Sequence, residues 1–245
     1  MLRAALTDIH GNLEALEAVL ADLDVRQPAE VVCLGDFVGY GGAPNECVDR
    51  VRPRLAAAVA GNHDVAACGR LLLGGFSSNA AQAARWTESV LSPGNRAWLE
   101  SLPLEVTLPG ARLVHASPAE PDAWHYVLSV AEARLEFDAF AERLCLIGHS
   151  HYPGAFRLGP RPDDLGYTRE PEVRLEPGCR FLVNVPSVGQ PRDGDPRAGY
   201  LLWDDDGDDG WVRHVRIEYD VAAARQRILD AGLPRFLGDR LQWGE

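Results

Sequence analysis

Near its start the chain contains Leu2-Arg3-Ala4-Ala5-Leu6-Thr7-Asp8-Ile9-His10-Gly11-Asn12. The apolar first half, residues 2–7, predicts a β-strand, and Asn12 is a residue type that commonly caps the N-terminus of a helix. The residues that follow place apolar side chains at a period of about 3.6, which predicts an amphipathic helix. The helix face consists of Leu13, Leu16, Val19, Leu20 and Leu23.

The next segments continue this strand and helix alternation. The apolar run Val31-Val32-Cys33-Leu34 predicts a second strand that is buried on both faces. Pro44 suits the first position of a helix at residues 44–52, and residues 55–60 predict a third strand that runs into Gly61. The first third of the chain therefore predicts a βαβαβ arrangement.

The remainder of the chain is richer in strands. Helices are predicted at residues 77–91, 93–102, 130–142 and 221–231. Strands are predicted at residues 104–108, 111–115, 144–148, 154–157, 172–176, 180–185, 199–203 and 211–218. No internal repeat or low-complexity linker divides the sequence. We therefore expect a single α/β domain over residues 1–245 with two sheets and a C-terminal helical tail at about 221–245.

The composition excludes several classes of protein. The chain has 245 residues, with 36 acidic and 24 basic residues and a formal charge of −12, and every basic residue is an arginine. Without lysine it cannot be a Schiff-base or PLP enzyme, a protein kinase or a Walker-A nucleotidase. Its acidic balance argues against nucleic acid as a stable partner, because a phosphate backbone requires a basic face.

The cysteines and the lengths of the apolar runs indicate the cellular compartment of the protein. Five cysteines, an odd number with no C-x-x-C pair, predict buried reduced thiols rather than disulfides or a zinc knuckle. The start of the chain reaches Asp8 before the core of a signal peptide is complete, and no apolar run approaches the roughly 20 residues that span a bilayer. We expect a cytoplasmic protein with no membrane contact.

Polar residues stand at the ends of the predicted strands. Five of the seven histidines follow a strand or end one, and four of the five strand-end segments contain glycine. The segments are Asp8-Ile9-His10-Gly11-Asn12, Gly35-Asp36, Gly61-Asn62-His63-Asp64, Val114-His115 and Gly148-His149-Ser150-His151. Ligands bind at the carboxyl ends of strands in open α/β sheets. The five segments are therefore expected to converge in space.

The converging side chains form a mixed nitrogen and oxygen donor set. Two carboxylates, one amide oxygen and up to five imidazoles suit Mn²⁺, Fe²⁺, Zn²⁺, Ni²⁺ or Co²⁺ better than Mg²⁺ or Ca²⁺. The set exceeds what one catalytic ion with an open position needs, which favours two ions that share a carboxylate. Two such ions clamp the attacking and leaving oxygens of a phosphoryl displacement, and a bridging water ionises near neutral pH.

Five motifs of this chain, taken in order, resemble those of the calcineurin-like metallophosphoesterases. They are Asp-x-His-Gly-Asn, Gly-Asp-x-x-Gly, Gly-Asn-His-Asp, a strand-end His and Gly-His-x-His. The later segment that begins Asn184-Val185-Pro186-Ser187-Val188-Gly189 is similar to Asn-Pro-Gly-Ser-Val-Gly of their small prokaryotic phosphodiesterase-like branch. Each motif is weak alone, but five in order are specific. The resemblance implies an α/β fold of two mixed β-sheets packed as a sandwich and flanked by helices, a four-layer αββα arrangement.

The resemblance also implies a role for each matching residue. One metal ion is held by Asp8, His10, Asp36 and His151. The other is held by Asp36, Asn62, His115 and His149, with Asp36 as the bridge. His63 is not a ligand in this scheme. It donates to the phosphate and protonates the leaving oxygen after attack by a metal-bridging hydroxide.

The second motif departs from that of two related groups of enzymes. In the protein Ser/Thr phosphatases and the symmetrical diadenosine tetraphosphatases it reads Gly-Asp-x-Val-Asp-Arg-Gly, and its second Asp pairs with the catalytic His while its Arg binds phosphate. Here Gly39 and Tyr40 replace those two residues. Both activities are therefore disfavoured. Tyr40 is a candidate for substrate contact, and packing over the helix that starts at Pro44 is the alternative.

Other residues are weaker candidates for substrate binding. Arg192 and Arg197 are candidates for the phosphate contact that the missing arginine would make, and surface pairing with Asp193 or Asp195 is the alternative. Asn12 is a candidate for the site as well as for the helix cap. Trp124-His125-Tyr126 is expected to line the pocket or to pack as a lid, and His214 is expected to be an exposed strand residue. The acidic run Asp204 to Asp209 is interpreted as a solvated hairpin tip rather than a calcium loop, since it lacks the closing Glu of an EF-hand.

The sequence therefore predicts a two-metal phosphoesterase, with manganese the favoured ion, that acts on phosphodiesters or small phosphorylated metabolites. The alternatives are a diadenosine tetraphosphatase, a protein Ser/Thr phosphatase, and a non-catalytic scaffold like the retromer subunit of this fold. A scaffold predicts eroded ligands, whereas every ligand position and His63 are filled here. The sequence does not indicate the natural substrate or the oligomeric state.

Overall fold

The computed structural model describes residues 1–161, 163–205, 207 and 210–245. Its helices are α1 (Leu13–Arg26), α2 (Pro44–Val51), α3 (Asn62–Ala67), α4 (Ser78–Val90), α5 (Pro93–Glu100), α6 (Val130–Glu136), α7 (Val221–Asp230) and α8 (Arg235–Asp239). Its strands are β1 (Arg3–Leu6), β2 (Glu30–Cys33), β3 (Ala57–Ala58), β4 (Glu105–Leu108), β5 (Ala111–Val114), β6 (Leu144–Ile147), β7 (Gly154–Leu158), β8 (Leu165–Thr168), β9 (Glu172–Arg174), β10 (Arg180–Asn184), β11 (Ala198–Asp204) and β12 (Trp211–Ile217).

The strands form two mixed sheets of six strands each. Sheet 1 has the order β3-β2-β1-β11-β12-β9 and sheet 2 the order β4-β5-β6-β10-β7-β8. In sheet 1, β1, β2 and β3 are parallel, and β11, β12 and β9 continue the sheet with antiparallel pairings. In sheet 2, β5, β6 and β10 are parallel and the outer pairings are antiparallel.

Alternation along the central strands builds the layers. In β1, Ala5 packs into the core between the sheets while Ala4 and Leu6 pack on the helix side. In β6, Leu144 and Leu146 face sheet 1, whereas Cys145 and Ile147 face the other way, in the cluster that holds Ala133 of α6. Because both sheets bury side chains on two faces, the order of layers is helices, sheet 1, sheet 2, helix. The predicted two-sheet fold flanked by helices is confirmed.

Several local predictions are confirmed. The Asn12 side chain accepts a hydrogen bond from the Ala15 N–H at 3.1 Å and so caps α1. Ser77 caps α4, and Pro93 stands in the first turn of α5. All five cysteines are buried free thiols.

The structure differs from the predictions at several short elements. β8 was not predicted, because Leu165-Gly166-Tyr167-Thr168 is a short edge strand without apolar alternation. The helix predicted at residues 130–142 ends as α6 at Glu136 and continues only as a single 3₁₀ turn, which buries Phe137. Among the described residues no helix is both long and apolar enough to cross a bilayer.

The acidic run lies at the predicted hairpin, where Asp204 of β11 is opposite Trp211 of β12. Asp205 is not a purely solvated side chain, because it pairs with Arg3 at 2.8 Å. Asp206, Asp208 and Asp209 lie outside the described residues.

The C-terminal segment folds back over the start of the chain. Arg227 of α7 pairs with Glu14 of α1 at 2.7 Å. A 3₁₀ turn over Arg240–Trp243 follows α8, and an apolar cluster joins α4, α7, α8 and this turn. Tyr40, which follows the second motif, packs against that cluster. The tail therefore adjoins the strand-end residues described below.

The environment of His214 differs from the one that the sequence predicted. Across the β11–β12 pair it is opposite Leu201, a residue of the core between the sheets, so its imidazole points toward that core. Its Nε2 is buried without a hydrogen-bond partner. Burial, with a smaller effect of Arg216, lowers the pKa of His214 to about 4. The prediction of an exposed strand residue is therefore wrong.

The depressed pKa predicts a loss of stability in acid. Because the unfolded histidine binds its proton near pH 6.5 and the folded one only near 4, His214 contributes stability above pH 6.5 that is lost as the pH falls toward 4. His214→Gln should reduce the loss of unfolding free energy between pH 7 and 4.5 by about 1–3 kcal/mol, as urea unfolding at several pH values would measure. His125→Gln, at an exposed position, is the control. Equal pH slopes for the wild type and His214→Gln would contradict this account.

Candidate metal centre

The strand ends bring the predicted ligands together. Asp8 and His10 follow β1, Asp36 follows β2, and Asn62 begins α3 after β3. In sheet 2, His115 follows β5, and His149 and His151 follow β6. The parallel strands of each sheet end at the same edge, and the two edges face each other across the sandwich. All seven side chains are buried.

The backbone at these residues is unusual. Five of the seven predicted ligands have a left-handed φ, namely Asp8 at 52°, His10 at 52°, Asp36 at 54°, His149 at 63° and His151 at 60°. A non-glycine residue costs about 1 kcal/mol in this region, so it persists only where surrounding contacts stabilise it. Such residues gather at functional sites. The chain thus uses backbone strain to direct these side chains inward.

Two glycines in the motifs make room for the ligands. A Cβ on Gly61 would lie 2.1 Å from Asp36 Oδ1, and a Cβ on Gly148 would lie 2.0 Å from Thr7 Oγ1. Both distances are far inside van der Waals contact. The glycines beside Asn62 and His149 are therefore required by the close approach of Asp36 and Thr7.

Asp8, His10 and His151 form one candidate cluster. Their facing atoms are close: Nε2 of His10 lies 3.1 Å from Nε2 of His151, and Asp8 Oδ1 lies 3.7 and 3.2 Å from these two nitrogens. Asp8 Oδ1 is buried and has no hydrogen bond. Three polar atoms thus share one small volume.

The opposite ring nitrogens fix the tautomers in this cluster. Nδ1 of His10 donates to the Val38 carbonyl at 3.2 Å, and Nδ1 of His151 donates to the Gln190 carbonyl. The neutral rings therefore present Nε2 lone pairs to each other. Two lone pairs and a carboxylate oxygen repel one another in a dry site, so a positive charge between them would stabilise the cluster.

Asp36, His115 and His149 form a second cluster, with Asn62 beside it. Nε2 of His115 lies 3.4 Å from Asp36 Oδ2 and 3.3 Å from Asn62 Oδ1, and its Nδ1 donates to the Leu34 carbonyl at 2.7 Å. Asp36 Oδ2 is also 3.6 Å from Nε2 of His10. Asp36 therefore stands between the two clusters.

The distances fit divalent transition-metal ions. Ligand atoms about 2.1 Å from one ion are about 3.0 Å apart at right angles and about 3.4 Å apart in a tetrahedron. The facing atoms quoted above are 3.1 to 3.7 Å apart. The backbone carbonyls that accept from the other ring nitrogens are the usual outer contacts of metal-bound histidine. The residues present therefore fit a pair of ions that share Asp36.

The shifted pKa values of Asp8, Asp36 and His115 reflect two buried carboxylates that lie close to imidazoles. Burial opposes ionisation, but the imidazoles of His151 and His115 hold the pKa of Asp8 well below its usual range, and His115 and His63 do the same for Asp36. Burial likewise opposes the charged form of His115, yet Asp36 raises the pKa of His115 to about 9. Without metal, a proton on His115 balances the carboxylates. A cation held by these residues would take over that balance and displace the proton from His115.

His63 lies at the edge of both clusters. Its ligand nitrogen is close enough to His10 and Asp36 to form a third candidate group. Its ring contacts Tyr40 at 4.4 Å, Phe76 at 4.8 Å and His10 at 4.9 Å between centroids. Burial lowers the pKa of His63 to about 4, against the opposing effect of Asp36. The imidazole is therefore held by rings and is neutral near pH 7 in the free protein.

Gly39 explains the missing carboxylate of the second motif. Its φ is 96°, and a Cβ there would lie 2.5 Å from His63 Nδ1. That nitrogen is buried and has no hydrogen-bond partner. No side chain at position 39 fits with this placement of the His63 ring.

Asp64 is a site residue that the sequence did not single out. Its buried carboxylate accepts from the N–H groups of Asp36 at 2.8 Å, Gly61 at 3.0 Å and Val38 at 3.2 Å. These bonds join the second and third motifs. Burial and the nearby Asp36 raise the pKa of Asp64 to about 8, against the lowering effect of the N–H donors. The signal available was its place in Gly-Asn-His-Asp.

The segment at residues 187–190 secures the first motif from the far side. Ser187 Oγ donates to the Asp8 carbonyl at 2.9 Å, and the Gly189 N–H donates to the same carbonyl at 2.9 Å. The next residue, Gln190, supplies the carbonyl that orients His151. Asn-Val-Pro-Ser in place of Asn-Pro-Gly-Ser thus still forms a loop that fixes two predicted ligands.

A pocket of about 520 Å³ opens over the clusters. The predicted residues on its wall include Asp36, Asn62, His63, His149, His151, Tyr40 and Arg192. The Arg192 Nη2 donates to the Tyr40 hydroxyl at 3.1 Å. Trp124 and Tyr126 also line the pocket, whereas His125 is exposed and pairs with Glu120 at 3.3 Å. Phe76 and Arg240, which the sequence did not indicate, complete the wall together with several apolar residues.

Two other predicted candidates are engaged elsewhere. The Asn12 amide caps α1 and donates to the Gly189 carbonyl at 2.8 Å, and it does not line this pocket. A contact of Asn12 with substrate stays a prediction. Arg197 forms a bidentate pair with Asp195, with contacts at 2.6 and 3.0 Å, so the alternative of surface pairing holds for this arginine.

Comparison with known proteins identifies relatives of the whole chain. Residues 1–208 match the family model described as the calcineurin-like phosphoesterase superfamily domain. An uncharacterized protein of Methanocaldococcus jannaschii is 38% identical over 246 residues, which cover 98% of this chain and 97% of that protein.

Two solved structures share the architecture. A metallophosphoesterase from Sphaerobacter thermophilus is 37% identical with a TM-score of 0.88, and the match covers 100% of this chain and 99% of that one. A hypothetical protein from Pyrococcus horikoshii is 18% identical with a TM-score of 0.79, and the match covers 100% and 98% of the two chains. The second likeness concerns the fold alone.

Metal removal should destabilise the protein. Adding Mn²⁺ to the stripped chain at about 100 times its dissociation constant should stabilise it by about 2.7 kcal/mol and raise the melting temperature by about 5–10 °C in calorimetry. Asp36→Asn should lose most of this rise, because Asp36 lies between both clusters. Asp49→Asn, at an exposed position on α2, should keep it. Unchanged melting with Mn²⁺, Fe²⁺, Co²⁺, Ni²⁺ and Zn²⁺ would refute the site.

Asp64 should be important for stability. In Asp64→Ala three buried N–H groups lose their acceptor, and each unsatisfied group costs about 1–3 kcal/mol. We expect a loss of at least about 3 kcal/mol in urea unfolding, together with weaker Mn²⁺ binding. Asp122→Ala, at an exposed position, should change neither quantity. A loss below about 1 kcal/mol would show that the three bonds contribute little.

Proposed function

The chain belongs to the calcineurin-like phosphoesterase superfamily, and on this premise we propose that it is a two-metal hydrolase of phosphodiesters or small phosphorylated metabolites. The observation that carries the proposal is the pair of ligand clusters joined by Asp36, with their lone pairs aimed at shared points beneath an open pocket. A buried set of this kind is suited to phosphoryl transfer between two cations.

The proposed ligand sets follow the two clusters. Asp8, His10, Asp36 and His151 would hold one ion, and Asp36, Asn62, His115 and His149 the other. We favour manganese, because the set mixes imidazole with carboxylate and amide oxygen. When bound, the ions supply positive charge to the phosphoryl oxygens and lower the pKa of water.

His63 is proposed as the proton donor. It lines the pocket beside Asp36 and Asn62. Its imidazole is neutral in the free protein, and a phosphate anion in the pocket favours the protonated ring, because opposite charge raises the pKa of a base. The protonated ring would then give its proton to the leaving oxygen as the ester bond breaks.

Tyr40 and Arg192 are proposed to bind the phosphoryl group. Arg192 lines the same pocket as His63 and His151. It also donates to the Tyr40 hydroxyl at 3.1 Å. A guanidinium in this position can replace the arginine that the second motif lacks.

The alternatives receive less support. A protein phosphatase or a diadenosine tetraphosphatase would need to work without the second-motif carboxylate, for which Gly39 leaves no space. A non-catalytic scaffold would have no use for seven buried ligands and a buried proton donor. We therefore rank small phosphoesters first.

Activity of the variants would test this proposal. The metal-loaded protein should hydrolyse bis(4-nitrophenyl) phosphate, Asp36→Asn should lower kcat by at least about 1,000-fold, and His63→Ala by about 100- to 10,000-fold. Metal content measured on each variant separates the two roles. His63→Ala should keep both ions, whereas a variant that loses an ion would show that His63 is a ligand.

The controls address the metal requirement. Asp49→Asn should retain wild-type kcat, because its carboxylate is exposed on α2. Full hydrolysis by the stripped protein would rule out the two-metal mechanism. Absence of turnover with several metals and with both monoesters and diesters would instead favour the scaffold alternative.

A further inference from the structure

Two arginines on the pocket wall differ from most arginines of this chain. Of the 24 arginines, 14 lie within 4.0 Å of a carboxylate among the described residues. Arg192 and Arg240 have no such pair in that part of the chain, and both face the pocket. The acidic residue on the described wall is Asp36, which is already a predicted ligand. Arg240 Nε donates to the carbonyl oxygen of Glu245, whose charge also acts on it, but no carboxylate side chain of the described residues pairs with either guanidinium.

The two arginines lie at different depths. Arg192 is the inner one, because it contacts Tyr40, which packs on His10 and His63. Arg240 comes from the C-terminal 3₁₀ turn and lies over the ring of Phe236, which is 56% exposed, at 5.4 Å from its centroid. Burial and the neighbouring Arg192 lower the pKa of Arg240. The second cation is thus close to the first and nearer the mouth.

Unused donors accompany these charges. Arg192 Nε is buried without a partner, and so is the indole N–H of Trp124 on the pocket wall. A buried N–H group without an acceptor costs about 1–3 kcal/mol, so such groups signal a missing acceptor. An anionic ligand would supply one.

The remaining wall is flat and apolar. Leu71, Phe76, Trp124 and Tyr126 lie along it, and Tyr126 stacks on His149 with centroids 4.3 Å apart. Ring faces and leucine favour a flat organic group over a sugar or a peptide backbone. The pocket therefore combines a metal floor, a cationic side and an aromatic side.

We propose that Arg240, with the outer side of Arg192, binds a second anionic group of the substrate, so that the preferred substrate is a phosphoester carrying a flat ring and a further phosphate or carboxylate. This inference rests on the proposed phosphoesterase function. It explains how a chain of net charge −12 presents a locally positive pocket to a polyanion.

Two matched diesters test the second-anion subsite. Thymidine 5′-(4-nitrophenyl phosphate) and its 3′-phosphorylated form release the same nitrophenolate and differ by one phosphate. The wild type should prefer the 3′-phosphorylated diester in kcat/KM by about 10- to 100-fold, as expected for a charge-assisted contact. Arg240→Gln should reduce this preference to within about threefold.

The dissociation constants of thymidine 3′,5′-bisphosphate and thymidine 5′-monophosphate give a readout other than turnover. Their ratio in calorimetry should show the same preference and the same loss in Arg240→Gln. Arg235→Gln on α8 is the matched control, because Arg235 is 75% exposed and pairs with Asp239 away from the pocket. It should retain the wild-type ratio.

The outcomes separate the two proposals. Equal affinity of the wild type for both nucleotides, or a preference that Arg240→Gln leaves unchanged, would overturn the subsite. Arg240-dependent binding without hydrolysis of either diester would support the subsite and refute the proposed function. Arg240→Lys, which keeps the charge, should restore part of the preference, and its failure to do so in a folded protein would count against the subsite.

Discussion

Repulsion among unprotonated ligand atoms is the constraint on which this structure depends. Nε2 of His10 and Nε2 of His151 point their lone pairs at each other across 3.1 Å, with an unbonded oxygen of Asp8 beside them. These side chains are buried, so solvent screens this repulsion only weakly. The arrangement is stable only with positive charge at its centre, whether protons or cations. The same repulsion would favour the binding of cations.

The fold supplies the means to hold these atoms together. Parallel strands of both sheets deliver the side chains to facing edges, and left-handed backbone directs five of them inward. Asp64 ties the second motif to the third, while Ser187 ties the first motif to the loop after β10. Hydrogen bonds to rigid backbone therefore fix the positions of these side chains more firmly than contacts between flexible side chains would.

The site was more predictable than its surroundings. Strand-end Asp and His residues beside glycine indicate the candidate ligands, because both sheet geometry and metal chemistry constrain the local sequence, and the structure places these side chains close together. No sequence motif indicates Arg240 or Phe76, because tertiary packing brings them to the pocket. Arg240 belongs to the C-terminal tail and Phe76 to a loop. β8 and the inward position of His214 were missed for a similar reason: cross-strand partners, not residue type, determine them.

The central place of β1 affects how the protein matures. Ala5 of β1 pairs with Leu201 of β11, about 200 residues later, and the loop that bonds to Asp8 also comes late in the chain. A nascent chain on the ribosome therefore lacks an assembled centre until nearly all of it has been synthesised. An ion proposed for this centre would therefore enter after translation, through the pocket of the folded protein. The identity of such an ion would then depend on the ions available in the cell at that time.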